Sequence, residues 1–234
     1  QNNQNRQNLL REYKTKCPAG IAVVRIHDGV AEKQVDFKKD SVKTADEFFN
    51  IINKQVNRLG DDTKLVDYLS ATNEFENFDD DDLVLRGDKT KWQWVGRFWT
   101  RIAQNIKQMG LRPNIGDLNV GHPTDITILN YLIPTLREVK KLGGAWSYHG
   151  YTVDYSMNGT NSTEGENSLR YRQFYDFFSK NAPDLSDMPI LITETGVAES
   201  GRKDKGYMPG NIEKFKTWLT WYDGEIGKDN YVVG

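Results

Sequence analysis

Short apolar stretches alternate with longer amphipathic stretches along almost the whole chain. A nearly continuous apolar run of about four to eight residues between turn residues is typical of a strand that is covered on both faces. Six segments have this pattern, namely residues 21–27, 64–72, 114–120, 145–151, 189–193 and 230–233.

The stretches between these segments predict helices, because their apolar residues recur every three or four positions. In residues 92–109, for example, Val95, Trp99 and Ile102 share one side of the predicted helix. Pro134 is expected either to start a new helix or to bend one. The predicted helices are residues 8–14, 44–59, 92–109, 126–142, 169–179 and 211–223.

Alternating strands and helices predict an α/β fold with a parallel sheet and crossover helices. Residues 1–234 show no repeat, linker or change of composition, so a single domain is expected. Two architectures fit this pattern. The first is an incomplete (β/α)₈ (TIM) barrel in which about strands 3 to 8 of the eight are present. The second is an open, doubly wound sheet of six strands.

Composition and charge exclude several classes of protein. The 234 residues are 37% apolar with a mean hydropathy of -0.70, which is typical of a globular chain with a sizeable core. The 31 basic and 33 acidic side chains give a net charge of -2, so no nucleic acid partner is expected. Because no apolar run approaches about 20 residues, no membrane insertion is expected either.

Candidate functional residues follow the first five predicted strands. In either architecture the carboxyl ends of the strands meet at one edge of the sheet, where ligands usually bind. All three histidines of the chain belong to this set, which indicates a polar functional site. The candidates are Arg25, His27, Asn73, Glu74, Asn119, His122, Trp146, Tyr148, His149, Tyr151 and Glu194.

Glu74 and Glu194 each end an apolar strand, so both carboxylates are expected at the margin of a low-dielectric region. Different surroundings move the pKa values of two such groups apart, which lets one act as an acid and the other as a nucleophile at the same pH. Either glutamate alone would be read as a helix cap or an ion-pair partner. Their joint position at one edge predicts a catalytic pair.

Three motifs in this order carry a family resemblance: Asn-Glu at 73–74, Trp-Ser-Tyr-His-Gly-Tyr at 146–151 and Ile-Thr-Glu-Thr-Gly at 192–196. The set resembles the clan of retaining glycoside hydrolases built on (β/α)₈ barrels. The resemblance implies that Glu74 is the general acid/base and Glu194 the nucleophile. It also implies cleavage of a β-linked oligo- or polysaccharide by double displacement, no cofactor, and a secreted or cell-surface location.

The resemblance also implies roles for the neighbouring residues. Asn73 would bind the sugar 2-hydroxyl, and Tyr148, His149 or Tyr151 would hold Glu194 ionised or line the subsite. Trp146 would either stack on a sugar ring or fill the core beneath it, and both readings stay open. The remaining substrate-binding candidates are Arg25, His27, Asn119 and His122.

The chain departs from the clan's pattern at several points. Arg25 would lie on strand three, whereas the clan's arginine lies on strand two, and no aromatic residue follows the last predicted strand. A barrel of this kind would lack its N-terminal strands and its C-terminal helix, so other segments of a longer polypeptide would have to complete it. Glu76 is the alternative acid if the loop after Glu74 is irregular.

Two other functions compete with this interpretation. A metal-dependent hydrolase would use the histidines at the strand ends, although the chain has no His-x-His or His-Glu-x-x-His motif. No metal is therefore expected. The other competitor is a catalytically inactive carbohydrate-binding or structural barrel within a larger assembly, which turnover of a glycoside would exclude.

Overall fold

The computed structural model describes residues 2–26, 35–70, 72–74, 88–159, 163–197 and 212–234. Within these ranges five parallel strands form one sheet, and their spatial order follows the chain. The strands are β1 (Val23–Arg25), β2 (Tyr68–Ser70), β3 (Arg112–Leu118), β4 (Ala145–Thr152) and β5 (Ile190–Val197).

Helices connect successive strands and cover the outer face of the sheet. Aspartates begin several of them: Asp40 and Asp88 accept hydrogen bonds from backbone N–H groups of the first turn. No helix in the described ranges is both long and apolar enough to cross a membrane. The helices are α1 (Asn2–Lys16), α2 (Ser41–Val56), α3 (Lys89–Gln108), α4 (Leu129–Lys141), α5 (Thr163–Glu166), α6 (Tyr171–Asn181) and α7 (Ile212–Ile226), with 3₁₀ segments at Asn57–Leu65, Ile126–Ile128 and Pro183–Leu185.

The predicted incomplete barrel with strands 3 to 8 is wrong. The described residues form an open half-barrel of five strands, all parallel. Residues 230–233, which the pattern predicts as a sixth strand, make one isolated bridge between Val232 and Ile190. The segment still hydrogen-bonds β5: the Ile190 N–H donates to the Tyr231 carbonyl and the Val233 N–H to the Ile190 carbonyl. A turn in which the Val232 N–H donates to the Asp229 carbonyl leaves it too short to count as a strand. The sequential strand order also excludes the doubly wound alternative, in which the order reverses.

The hydrophobic core lies between the outer face of the sheet and the helices. Phe98 and Trp99 of α3 are buried in it, as are Trp146 of β4 and Phe174 of α6. Full burial of a side chain of this size contributes about 1.5–3 kcal/mol relative to exposure. The core therefore fixes which face of each strand points towards the helices and which faces inwards.

The inner face of the sheet changes character along the strands. Near the amino ends it carries a small apolar cluster of Tyr68, Ala145 and Leu191. Towards the carboxyl ends it carries buried polar side chains, including Asn114 and Ser147. A parallel sheet that concentrates buried polar groups at its carboxyl ends has the composition of a functional site at that end.

Candidate active site

Two irregularities in the sheet bring polar side chains together at its carboxyl end. The β3–β4 register shifts between Ile115 and Leu118, where Asp117 has a φ of 48°. The β4–β5 register shifts after Tyr148, and the shift pairs His149 directly with Glu194. Irregularities of this kind re-aim side chains and are frequent beside active sites.

Glu74, His149 and Glu194 form the centre of the site. His149 Nδ1 lies 3.0 Å from Glu74 Oε1 and 3.6 Å from Glu194 Oε2. One oxygen of each carboxylate and one ring nitrogen all lie within 4.8 Å of one another. His149 is fully buried, whereas the two glutamate side chains are 24% and 25% exposed. Both carboxylates are therefore accessible to solvent, whereas the histidine between them is not.

Glu194 is held as a carboxylate by three neighbours. Burial alone would raise its pKa, but the Tyr151 hydroxyl donates to Oε2 at 2.7 Å, and His149 and Arg25 bring positive charge. Arg25 forms an ion pair with Oε1. The net effect is a pKa below the ordinary glutamate value. Burial and the bond to Glu194 raise the pKa of Tyr151, which keeps its hydroxyl as the donor.

His149 is positively charged at neutral pH. Burial lowers its pKa, but the carboxylates of Asp117, Glu74 and Glu194 outweigh burial and raise the pKa to about 9. Arg25 Nη1 lies 3.5 Å from Nε2 of the ring, so the guanidinium also faces His149. The centre therefore combines carboxylates with two fixed positive charges.

The arrangement is suited to acid/base and nucleophilic chemistry between two carboxylates. Comparisons with protein-family models, with curated proteins and with solved structures found no match.

The same three side chains could also offer ligand atoms to a metal ion. A metal-bound histidine has to be neutral, whereas His149 is protonated at neutral pH. Arg25 already neutralises Glu194 through their ion pair. A divalent cation would have to displace both positive charges, so the cluster fits a metal poorly.

The other predicted residues lie in the loops after β2 and β3 or outside the described residues. Asn73 directly precedes Glu74, and its Oδ1 is buried with no hydrogen-bond partner among the described residues. Asn119 and His122 lie in the loop after β3, where the His122 N–H donates to the Asn119 carbonyl. His27 and Glu76 lie outside the described residues.

Trp146 and Tyr148 lie on the face of β4 that is turned away from the two glutamates. This selects the core reading of Trp146 and corrects the assignment of both residues to the substrate site. Both are buried in the core against α6, where Trp146 Nε1 donates to the Tyr175 hydroxyl at 3.0 Å. The Tyr148 hydroxyl donates to the Asn167 carbonyl at 2.5 Å. Successive strand residues point to opposite faces, so His149 faces inwards while its neighbour Tyr148 faces the helices.

Asp117 is the main residue of the site that sequence reasoning missed. It is fully buried on the inner face, with Oδ1 3.8 Å from His149 Nε2. The sequence does contain a sign of this residue, since an aspartate stands within the apolar run 114–118. Aspartate is rarely buried without partners, so its position in a buried strand indicates a polar site. Predicting that run as one uninterrupted strand treats Asp117 as an ordinary strand residue and overlooks its polar side chain.

Proposed function

We propose that the chain is a retaining glycoside hydrolase that cleaves a β-linked oligo- or polysaccharide by double displacement. The observation that carries the proposal is the closeness of Glu74 and Glu194, which have carboxylate oxygens within 4.8 Å of each other. Retaining enzymes need carboxyl groups about 5–5.5 Å apart, whereas inverting enzymes hold them about 6.5–9.5 Å apart to admit a water molecule. Nearest oxygens within 4.8 Å are compatible with the short separation that direct attack by one glutamate requires.

In the first step Glu194 attacks the anomeric carbon and forms a glycosyl ester while the bond to the leaving oxygen breaks. The interactions with Tyr151 and Arg25 support this role, because they keep Glu194 ionised. Glu74 gives a proton to the leaving oxygen. Since His149 donates to Oε1 of Glu74, the transferable proton belongs on Oε2.

In the second step water attacks the anomeric carbon and the bond to Glu194 breaks. Glu74, now ionised, takes a proton from that water and returns to its starting state. The residues present supply every group of this cycle, so the proposal needs no cofactor.

A carbohydrate substrate suits the polar groups beside the two glutamates. The buried Oδ1 of Asn73, which lacks a hydrogen-bond partner among the described residues, can accept a hydrogen bond from the sugar 2-hydroxyl. The expected secreted or cell-surface location stays a prediction.

The experiment is hydrolysis of aryl β-glycosides and β-linked polysaccharides, with the first product anomer followed by proton NMR. We expect the β-anomer to appear first and the rate to be unaffected by EDTA. Appearance of the α-anomer first would contradict retention, and loss of activity in EDTA would favour the metal-dependent alternative. Binding of oligosaccharides without any turnover would contradict the enzymatic proposal.

A further inference from the structure

Asp117 is a buried carboxylate that three other strands hold in place. Ser147 of β4 and Thr193 of β5 donate to its Oδ1 at 2.7 and 2.6 Å, and Ser70 of β2 donates to its Oδ2. Its own N–H donates to Ser147 Oγ at 2.8 Å. A carboxylate without solvent contact is costly unless its oxygens are paired, and these hydroxyls satisfy it without neutralising its charge.

The charge of Asp117 faces His149. Oδ1 lies 3.8 Å from Nε2, on the side of the ring opposite the nitrogen that approaches Glu74. The imidazole thus has the carboxylate of Asp117 on its Nε2 side and the two glutamates on its Nδ1 side. We propose that Asp117 is a positioning residue, whose buried carboxylate fixes the ring of His149 between Glu74 and Glu194. As a statement about catalysis, this rests on the proposed function.

The backbone of Asp117 positions the other side of the site. Its carbonyl accepts a hydrogen bond from the Glu74 N–H at 3.1 Å. Both residues have positive φ, 40° at Glu74 and 48° at Asp117, a conformation that residues other than glycine rarely adopt. The hydrogen bond between them stabilises both unusual backbone conformations. Asp117 therefore holds Glu74 through its carbonyl and His149 through its side chain.

Every element around His149 contributes a charged or titratable group. These groups are Arg25 from β1, Glu74 after β2, Asp117 from β3, Tyr151 from β4 and Glu194 from β5. Glu74 and Glu194 change their charge or bonding during the proposed cycle. Asp117 is the one carboxylate of the set that stays buried and ionised throughout the cycle. It therefore keeps a constant negative charge beside the His149 ring.

The test follows the ring nitrogens of His149 by NMR in histidine-labelled protein. In the unmodified protein both N–H groups are expected at pH 7, and the ring is expected to lose a proton only in the alkaline range. In Asp117→Asn, which keeps the shape of the side chain, the midpoint should fall by at least one pH unit. The alkaline limb of kcat/KM should move in the same direction by a similar amount, with KM little changed.

Glu164→Gln is the matched control. Glu164 is also fully buried and also held by hydroxyls, those of Thr152, Ser156 and Ser168, but it does not contact His149. Its replacement should leave the His149 titration unchanged. An unchanged titration in Asp117→Asn would overturn the proposal.

Whether or not Asp117→Asn folds, a neutral His149 ring at pH 7 in the unmodified protein would contradict the proposal. The NMR titration does not depend on catalytic activity. A protonated ring in a protein that cleaves no glycoside would refute the proposed function and leave the Asp117–His149 relationship intact.

Discussion

Arg25 and Glu194 lie on the two edge strands of the five-stranded sheet, and their side chains form an ion pair. Neighbouring strands are about 4.8 Å apart, so the edges of a flat sheet of this size would be separated by about 19 Å. An arginine and a glutamate cannot span that distance. The sheet is therefore strongly curved, and the curvature gathers residues from all five strands around one concave site.

The two glutamates are expected to respond differently to substitution. Glu194→Gln should lower kcat by roughly 10⁴-fold or more with every glycoside, because it removes the nucleophile. Glu74→Gln should slow substrates with poor leaving groups by about 10²–10⁴-fold and spare the first step of those with good leaving groups. The measurement is kcat/KM across aryl glycosides of graded leaving-group pKa, with the exposed Glu213→Gln as control. Equal losses across the series in Glu74→Gln would argue against its role as the acid.

Tyr151→Phe should move the acid limb of the pH–rate profile upwards. The Tyr151 hydroxyl lowers the pKa of Glu194, so its removal raises that pKa and Glu194 becomes protonated at a higher pH. A hydrogen bond to a charged group is typically worth 1.5–3 kcal/mol, so we expect a shift of about one to two pH units. Tyr171→Phe, which removes a hydroxyl bound to Asp229 at 2.6 Å, serves as control. An unshifted acid limb in Tyr151→Phe would exclude this effect.

His149 should make the stability of the protein depend on pH in the alkaline range. Its pKa is raised from 6.5 to about 9 in the folded protein. The stabilisation is therefore fully present below about pH 6.5 and is lost as the pH rises through about 9. This titration should lower the free energy of unfolding in urea by about 2.5 kcal/mol between pH 7 and 10. His149→Gln should flatten that dependence, and equal slopes in the two proteins would contradict the assignment.

Trp146→Phe should affect stability and not substrate binding. The indole packs against Phe174 and Phe178 and donates to the Tyr175 hydroxyl, away from the two glutamates. Loss of the hydrogen bond and of ring volume should lower the free energy of unfolding by about 1–3 kcal/mol. KM should stay within about twofold of the wild-type value. A large rise in KM with unchanged stability would restore the sugar-stacking interpretation.

The positions of the strands and the edge that carries the site could be predicted from the sequence. Apolar runs bounded by turn residues predict β4 to within one residue and the start of β5, although β5 continues past Glu194 to Val197. The polar residues near the ends of these runs identify the carboxyl edge. Glu74, His149 and Glu194 meet there because all strands run in the same direction. The prediction succeeded where it depended on local pattern and on a general rule of parallel sheets.

The remaining features depend on tertiary structure that the local pattern does not encode. A nearly continuous apolar strand gives no sign of which face is inside. The sequence therefore leaves Trp146 open between sugar stacking and core packing and assigns Tyr148 to the substrate site, whereas both are buried in the core. The irregularity at Asp117 depends on its φ of 48° and on contacts with distant strands. The number of strands that close or leave open a sheet is likewise a property of the assembled fold.

The most direct test of the paired glutamates is to trap the glycosyl–enzyme ester. The protein would be incubated with activated 2-deoxy-2-fluoro-β-glycosides of the gluco, manno, xylo and galacto series, digested, and mapped by mass spectrometry. We predict that one of these reagents adds a single fluoroglycosyl group to Glu194 and that Glu194→Gln abolishes the addition. Labelling of a different residue, or no labelling by the whole series, would contradict the proposal that Glu194 attacks the sugar while Glu74 protonates the leaving group.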